Sequence, residues 1–153
     1  MIQSLKKILA PIDFSSFSIQ ALKGAWDLAR ETGAELHLLH VVAPHHTYLP
    51  LPLALDAERA REIAREAAMV EQAEEELTRI KKDELENSRK VSVAAVVGPP
   101  VSKIAEYITQ NKIDLIVMST HGRTGGEHIL IGSVTEKIVR QSPCAVLVLP
   151  KHD

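Results

Sequence analysis

The chain has 153 residues, of which 45% are hydrophobic, and this composition predicts one compact domain with a sizeable core. The formal net charge of −2 leaves no surplus of positive charge to neutralise a nucleic-acid backbone, which argues against an electrostatic nucleic-acid binder. A single cysteine excludes an internal disulfide, and no His/Cys cluster has the spacing of a zinc site.

The apolar run near the N-terminus, residues 8–12, is too short for a signal peptide or a membrane span. We therefore expect a cytoplasmic protein without membrane association. No linker, low-complexity tract or solenoid repeat divides the sequence, so residues 1–153 are expected to form a single domain.

Five apolar runs of strand length alternate with segments of helical period. Two of them, residues 36–42 and 115–118, show little polar alternation, which is typical of strands covered on both faces in a parallel sheet. The pattern predicts an α/β layered domain. The predicted strands are Lys7–Ile12, Glu35–Val42, Val91–Val97, Leu115–Ser119 and Ala145–Leu149.

The first predicted helix begins at a cap near Ser15 or Ser18 and stops at Gly33, a residue typical of helix ends. The second runs from a cap at Asp56 to about Asn87. Its apolar residues repeat every three or four positions, which places them on one helix face. That stripe consists of Ala60, Ile63, Ala67, Val70, Ala73, Leu77 and Ile80.

The third helix is predicted to begin near Pro99–Pro100, since proline is tolerated in a first turn, and the last to span Ser133 to about Gln141. The long connection at residues 43–55 is rich in proline and contains His45 and His46. Exposed loop histidines are the simpler interpretation of this pair, and a metal or phosphate contact is the alternative.

A glycine-rich loop follows the fourth strand, because four of the seven glycines lie between positions 122 and 132. Glycine lets the backbone approach a ligand closely, and the helix start that follows offers unpaired N–H groups that favour an anion. We interpret this segment as a cradle for phosphate. A flexible surface loop is the alternative.

The carboxyl ends of parallel strands share one edge of the sheet, so residues that follow different strands are brought together there. Asp13 follows the first strand, Val41 and Val42 end the second, and the glycine loop follows the fourth. In an open doubly wound sheet the ligand lies where the strand order reverses. We expect one pocket there, although Asp13 could instead cap the first helix or accept a hydrogen bond from the loop.

Six blocks of this sequence resemble the universal stress protein family, in the same order and over almost the whole chain. They are Lys6–Ser15, Leu38–Val41, Val97–Pro100, Asp114–Gly125, Ile131–Glu136 and Pro143–Leu149. The resemblance implies a single doubly wound α/β domain with helices on both faces of a five-stranded parallel sheet of order 3-2-1-4-5. It also implies a homodimer.

The family divides into members that bind ATP and members that do not. The ATP-binding branch carries the motif Gly-x-x-Gly-x9-Gly-Ser/Thr, and this chain reads Ser119-x-x-Gly122-x9-Gly132-Ser133. Only the first position departs from the motif. The serine adds a Cβ near the ligand path, which affects the expected ATP affinity but not the expected fold.

The resemblance assigns twelve residues to a nucleotide site. They are Asp13 and Val41 at the ribose and adenine, Gly122, Arg123 and Gly132 at the phosphates, Ser133 and Thr135 as hydroxyl donors, and Pro11, Met118, Ser119, Gly125 and Val134 around them. For Arg123 a solvated loop charge is the alternative.

Three classes of function follow from this reading. The first is an ATP-binding universal stress protein that acts as a nucleotide-dependent module in stress response or signalling, with Mg²⁺ held through the phosphates. The second is a dimeric interaction protein of the same family that binds no nucleotide. The third is an enzyme such as a slow ATPase, for which the sequence offers neither a Walker A motif nor a Ser-His-Asp arrangement.

The last predicted strand, Ala145–Leu149, is strongly apolar, and the family's strand order places it at the sheet edge. Exposed edges of this kind tend to pair. We therefore expect the homodimer to form through this strand. Cys144, directly before it, is expected to be a small buried residue.

Overall fold

Five strands form one sheet in the order β3-β2-β1-β4-β5, and every strand pair is parallel. The computed structural model describes residues 4–44, 55–122 and 131–151. The elements are β1 Lys7–Pro11, α1 Ser16–Thr32, β2 Glu35–Val42, α2 Leu55–Glu84, β3 Val91–Val97, α3 Pro100–Asn111, β4 Leu115–Ser119, α4 Ser133–Gln141 and β5 Ala145–Leu149.

The predicted α/β class and strand order are confirmed. Successive residues of each strand point to opposite faces, so the sheet carries a hydrophobic core on both sides. Helices α1 and α2 cover one face and α3 and α4 the other. The first core includes Ile8, Leu38 and Val117, and the second includes Leu9, Leu39 and Ile116. Cys144 packs against the second core and is half-buried.

Helix α1 begins and ends as predicted. The Ser15 hydroxyl accepts a hydrogen bond from the Ser18 N–H at 3.2 Å, and Gly33 ends the helix in the left-handed conformation with φ 74°. The helix packs tightly on the sheet, since a Cβ built on Gly24 would lie 2.6 Å from Leu149 Cδ1. These contacts fix the start of α1 beside the carboxyl ends of the strands.

Helix α2 differs from the prediction in how much of its apolar stripe is buried. Ala73 and Leu77 pack on the sheet, whereas Ile63 is 58% exposed and Ala60 and Ala67 are also exposed. The C-terminal half of α2 therefore covers β2 and β3, and the N-terminal half extends past the core. The helix also stops at Glu84, short of the predicted end, because the chain turns left-handed at residues 86 and 87.

His45 and His46 lie outside the residues that the structure describes. Of the helices in the described segments, none combines the length and the apolar character that crossing a membrane requires.

Candidate functional site: a crevice between β1 and β4

A cavity of about 160 Å³ lies at the carboxyl edge of the sheet, where the strand order reverses between β1 and β4. This is the position at which open α/β sheets place their ligands. Seven of the residues predicted for the site line it, namely Pro11, Asp13, Val41, Met118, Ser119, Val134 and Thr135.

The crevice opens because β1 and β4 separate toward their carboxyl ends. Their paired register covers only Ile8 and Leu9 of β1, whereas the pairing of β1 with β2 continues to Pro11. The Ile12 N–H donates to the Leu39 carbonyl at 2.8 Å, so the neighbouring backbone at Pro11 faces β4. Proline has no N–H to donate, and the ladder to β4 ends there.

The turn after β1 aims the Asp13 carboxylate across this opening. Its Oδ1 accepts a hydrogen bond from the Ser15 N–H at 2.9 Å, so Asp13 orders the turn, while Ser15 is the cap of α1. Phe14 between them has φ 63°, a left-handed conformation that costs a bulky residue about 1–2 kcal/mol. Strain of this kind at the mouth of a crevice points to a functional turn.

The two described loop glycines have different reasons to be glycine. A Cβ on Gly122 would lie 2.7 Å from Asp13 Oδ2, so a side chain there would force the Asp13 carboxylate to move. A Cβ on Gly132 would meet Thr120 O at 3.5 Å, an ordinary contact, and Gly132 has φ −63° as the cap of α4. Neither glycine has a positive φ, so close approach, not a left-handed turn, explains Gly122.

Helix α4 begins directly behind this loop and presents its first N–H groups, at Ser133, Val134 and Thr135, without a side-chain cap. The Gly132 N–H is held within the protein, since it donates to the Thr120 carbonyl at 2.6 Å. Ser133 is exposed at the helix start. The arrangement offers the positive end of a helix dipole beside the crevice.

Thr135, one of the two predicted hydroxyl donors, and Ser119 both form hydrogen bonds to the protein backbone through their hydroxyls. Thr135, which is buried, donates from Oγ1 to the Ser119 carbonyl at 2.9 Å and so ties α4 to the end of β4. Ser119 donates from Oγ to the His121 carbonyl at 2.5 Å and closes the turn after β4. Both hydroxyls shape the loop in this state of the protein.

An aromatic contact joins three segments at the rim. The Phe17 ring at the start of α1 lies 5.8 Å from the His121 ring, and the Lys151 ammonium lies 5.4 Å from the same phenyl ring. The Thr120 N–H also donates to the Leu149 carbonyl at 3.1 Å. The chain after β5 is thereby attached to the loop after β4, and the Lys151 ammonium contacts the Phe17 ring of α1.

Several lining residues were not among those predicted from the sequence, among them His40, Ile104 and Pro100. His40 was detectable, because it is a polar residue near the end of an apolar strand. Its Nδ1 lies 2.7 Å from the Ile12 carbonyl, and its ring centroid lies 4.5 Å from that of Phe14.

Arg123 and Gly125 fall outside the described residues, and their predicted roles stay predictions. Within the described segments, no group of three or more His, Cys, Asp or Glu side chains is placed to hold a metal ion.

The fold and the crevice define an open, doubly wound α/β protein with its candidate site at the reversal of strand order. The sequence profile of the universal stress protein family matches residues 4–150, and the chain belongs to this family. It is 38% identical over 146 residues to the universal stress protein MJ0531 of Methanocaldococcus jannaschii, covering 95% of this chain and 82% of that one.

Solved structures show the same fold. The structure of protein MJ0577, a universal stress protein of Methanocaldococcus jannaschii, superposes with a TM-score of 0.82 at 30% identity and covers 99% of both chains. A universal stress protein in complex with cAMP superposes with a TM-score of 0.65 and covers 97% of this chain and 98% of that one. At 21% sequence identity, this likeness shows a shared fold.

Proposed function

We propose that this protein binds ATP in the crevice between β1 and β4 and acts as a nucleotide-dependent module in stress response or signalling. The observation that carries the proposal is the convergence of three features on one opening. The uncapped start of α4, through Val134 and Thr135, and Asp13 line this opening, and Gly122 lies against the Asp13 carboxylate. The spacing of Gly122, Gly132 and Ser133 is that of the family's ATP-binding branch.

The phosphates are proposed to lie at the start of α4. The N–H groups of Ser133, Val134 and Thr135 have no acceptor within their own helix, and the helix dipole favours an anion there. The Gly132 N–H is the exception, because the Thr120 carbonyl already holds it. Arg123 and Gly125 are proposed to complete this part of the site, and Mg²⁺ to be held through the phosphates.

The base and ribose are proposed to occupy the cavity itself. Pro11, Val41, Met118 and Val134 give it apolar walls, which suit the faces of a purine. The Asp13 carboxylate is the acceptor for ribose hydroxyls, the role that an acidic residue plays in other doubly wound nucleotide sites. That another protein of this fold was solved with cAMP supports an adenine nucleotide as the ligand class.

A second candidate is a family member that works through protein contacts without nucleotide. Ser119 favours it, because this residue replaces the first glycine of the motif and its hydroxyl closes the turn that a ligand must approach. Enzymatic turnover, at most weak hydrolysis of ATP, is a third candidate. It has less support, since the sequence offers neither a Walker A motif nor a Ser-His-Asp arrangement.

The partner is proposed to be a second copy of the chain, joined at β5. This strand forms one edge of the sheet, and it carries Leu147 with 38% of its surface exposed. Val139 on the neighbouring α4 is 51% exposed. An apolar strand at an unpaired sheet edge is a surface that tends to pair.

Calorimetric titration of the purified protein with ATP, ADP, AMP and cAMP in the presence of magnesium tests the ligand. We expect saturable binding of ATP to wild type. Gly132→Val should lose this binding, because position 132 has room for a Cβ but not for the two further methyl groups of valine. Gly132→Ala is the matched control for folding. Absence of ATP binding by wild type would favour the nucleotide-free candidate, and product formation over time would favour the enzyme.

A further inference from the structure

His40 contacts both neighbours of Asp13 in the chain. Its Nδ1 lies 2.7 Å from the carbonyl oxygen of Ile12, so the proton is on Nδ1 and the imidazole donates. The same ring lies 4.5 Å from the ring of Phe14, centroid to centroid, at an interplanar angle of 40°. One side chain on β2 therefore holds the residue before Asp13 by a hydrogen bond and the residue after it by ring packing.

The backbone at this point needs to be held. The Ile12 N–H forms a final bond to β2 through the Leu39 carbonyl, and beyond it the chain leaves the sheet. Phe14 then adopts the left-handed φ of 63°, which a bulky side chain does not adopt without support. Its ring packs against apolar residues of the core, with His40 on it.

Asp13 lies between these two anchored residues, and its carboxylate has little freedom as a result. One oxygen accepts the Ser15 N–H at 2.9 Å, and the other lies in the space that a Cβ on Gly122 would need. A small rotation of the turn would move the carboxylate out of the crevice. From the β2 side, His40 opposes this rotation together with the bond between the Ile12 N–H and the Leu39 carbonyl.

We propose that His40 is a positioning residue, which fixes the Asp13 carboxylate in the orientation that accepts ribose hydroxyls. The inference rests on the proposed nucleotide site and adds to it a determinant of sugar recognition. The chemical consequence is selectivity for a nucleotide that carries ribose hydroxyls over one that lacks them. His40 acts through Asp13, although it also forms part of the crevice wall.

Two substitutions separate the two contacts of the imidazole. His40→Asn keeps an N–H donor near the position of Nδ1 and removes the ring. His40→Phe keeps a ring against Phe14 and removes the donor to the Ile12 carbonyl. A third variant, His37→Asn, is the matched control, because His37 lies on the same strand but contacts Tyr107 and does not line the crevice.

The experiment measures binding of ATP and of 2′,3′-dideoxy-ATP by calorimetry, with urea unfolding of each variant as a check on the fold. We expect His40→Phe to weaken ATP binding on the order of tenfold and His40→Asn to weaken it less, with dideoxy-ATP binding unchanged in both. In an Asp13→Asn background, His40→Phe should cause no further loss of ATP affinity. His37→Asn should bind both ligands as wild type does.

The possible failures are distinguishable. If wild type binds no nucleotide, the proposed function falls and this inference falls with it. If wild type binds ATP in an Asp13-dependent way but both His40 variants bind it as tightly, only the role of His40 is overturned. Equal losses for ATP and dideoxy-ATP would make His40 a wall of the crevice and overturn the positioning role. If His40→Phe does not fold, the ratio of the two affinities in His40→Asn decides in the same way.

Discussion

The carboxylate of Asp13 occupies the space that any side chain at position 122 would require. A Cβ built on Gly122 would lie 2.7 Å from Oδ2 and 3.9 Å from Cγ of Asp13. The turn after β1 and the loop after β4 are therefore in close contact across the crevice. This contact relates the first of the six family blocks, Lys6–Ser15, to the fourth, Asp114–Gly125.

Gly122→Ala tests that relationship. The added methyl group must displace the Asp13 carboxylate, and rotation of that side chain breaks its bond to the Ser15 N–H. We expect a loss of about 1 kcal/mol in the free energy of unfolding. ATP affinity should fall on the order of tenfold, which corresponds to about 1.4 kcal/mol.

Gly132→Ala is the control for this change, because its Cβ meets nothing closer than 3.5 Å. Urea unfolding and ATP titration of the two variants should separate them clearly. Equal stability and equal ATP affinity in Gly122→Ala and wild type would show that the Asp13 carboxylate is not held where the structure has it.

Ser119 departs from the ATP-binding motif, and its hydroxyl donates to the His121 carbonyl. Ser119→Gly restores the motif but removes this bond and frees the backbone, which should lower the free energy of unfolding by about 1–2 kcal/mol. Since the hydroxyl is directed to the loop and not to a phosphate, ATP affinity should change by less than about tenfold.

Ser119→Ala removes the hydroxyl alone and isolates the loss of the hydrogen bond from the gain in backbone freedom. Calorimetry with ATP decides the functional part. Tight binding by Ser119→Gly where wild type fails to bind would instead identify Ser119 as the residue that excludes nucleotide.

Much of the fold was predictable because the hydrophobic pattern and the residues that typically begin or end helices agree along this chain. The unbroken apolar runs of β2 and β4 predicted strands covered on both faces, and Ser15 and Gly33 marked the ends of α1. The strand order came from the family resemblance, since hydrophobic pattern alone does not order strands. The crevice between β1 and β4 was expected from the residues that follow these strands, because a doubly wound sheet binds ligands where its strand order reverses.

Other features depend on contacts that no sequence pattern encodes. The apolar stripe of α2 is continuous in sequence, but the N-terminal half of the helix extends past the core. Ile63 is therefore exposed while Leu77 is buried. The Thr135 hydroxyl was predicted to donate to a ligand, and in the structure it donates to the Ser119 carbonyl, a contact between residues that are distant in sequence. His40 was not predicted as a site residue, because its role depends on contacts with Ile12 and Phe14, which are distant in sequence.

The acid sensitivity of the fold should depend in part on His37. Its side chain is buried, with Nδ1 2.8 Å from the Tyr107 hydroxyl, and Nε2 lies 3.6 Å from Glu35 Oε2, beyond hydrogen-bond distance. Burial, and next the positive charge of Lys7, lower the pKa of His37 below 6.5, although Glu35 opposes the shift.

The unfolded chain therefore takes up a proton near pH 6.5, whereas the folded chain takes it up only at lower pH. Stability from this group is present above pH 6.5 and is lost as the pH falls toward the folded pKa, by at most about 1.4 kcal/mol per pH unit. Urea unfolding at pH 7.5 and at pH 5.5 should show a larger loss in wild type than in His37→Asn, which does not titrate. Identical losses in the two proteins would contradict the shift.

The last prediction concerns the edge strand β5. If two copies pair there about a twofold axis, the exposed 38% of Leu147 from each is buried, and each contributes about 1 kcal/mol of hydrophobic free energy. Leu147→Lys should therefore convert a dimer at micromolar concentration into a monomer, because a charged side chain at the edge blocks pairing. Ile63→Lys is the matched control, since Ile63 is an exposed apolar residue on α2, away from β5. Light scattering should give the dimer mass for wild type and Ile63→Lys and the monomer mass for Leu147→Lys. A monomeric wild type, or a Leu147→Lys variant that stays dimeric, would rule out assembly through this strand.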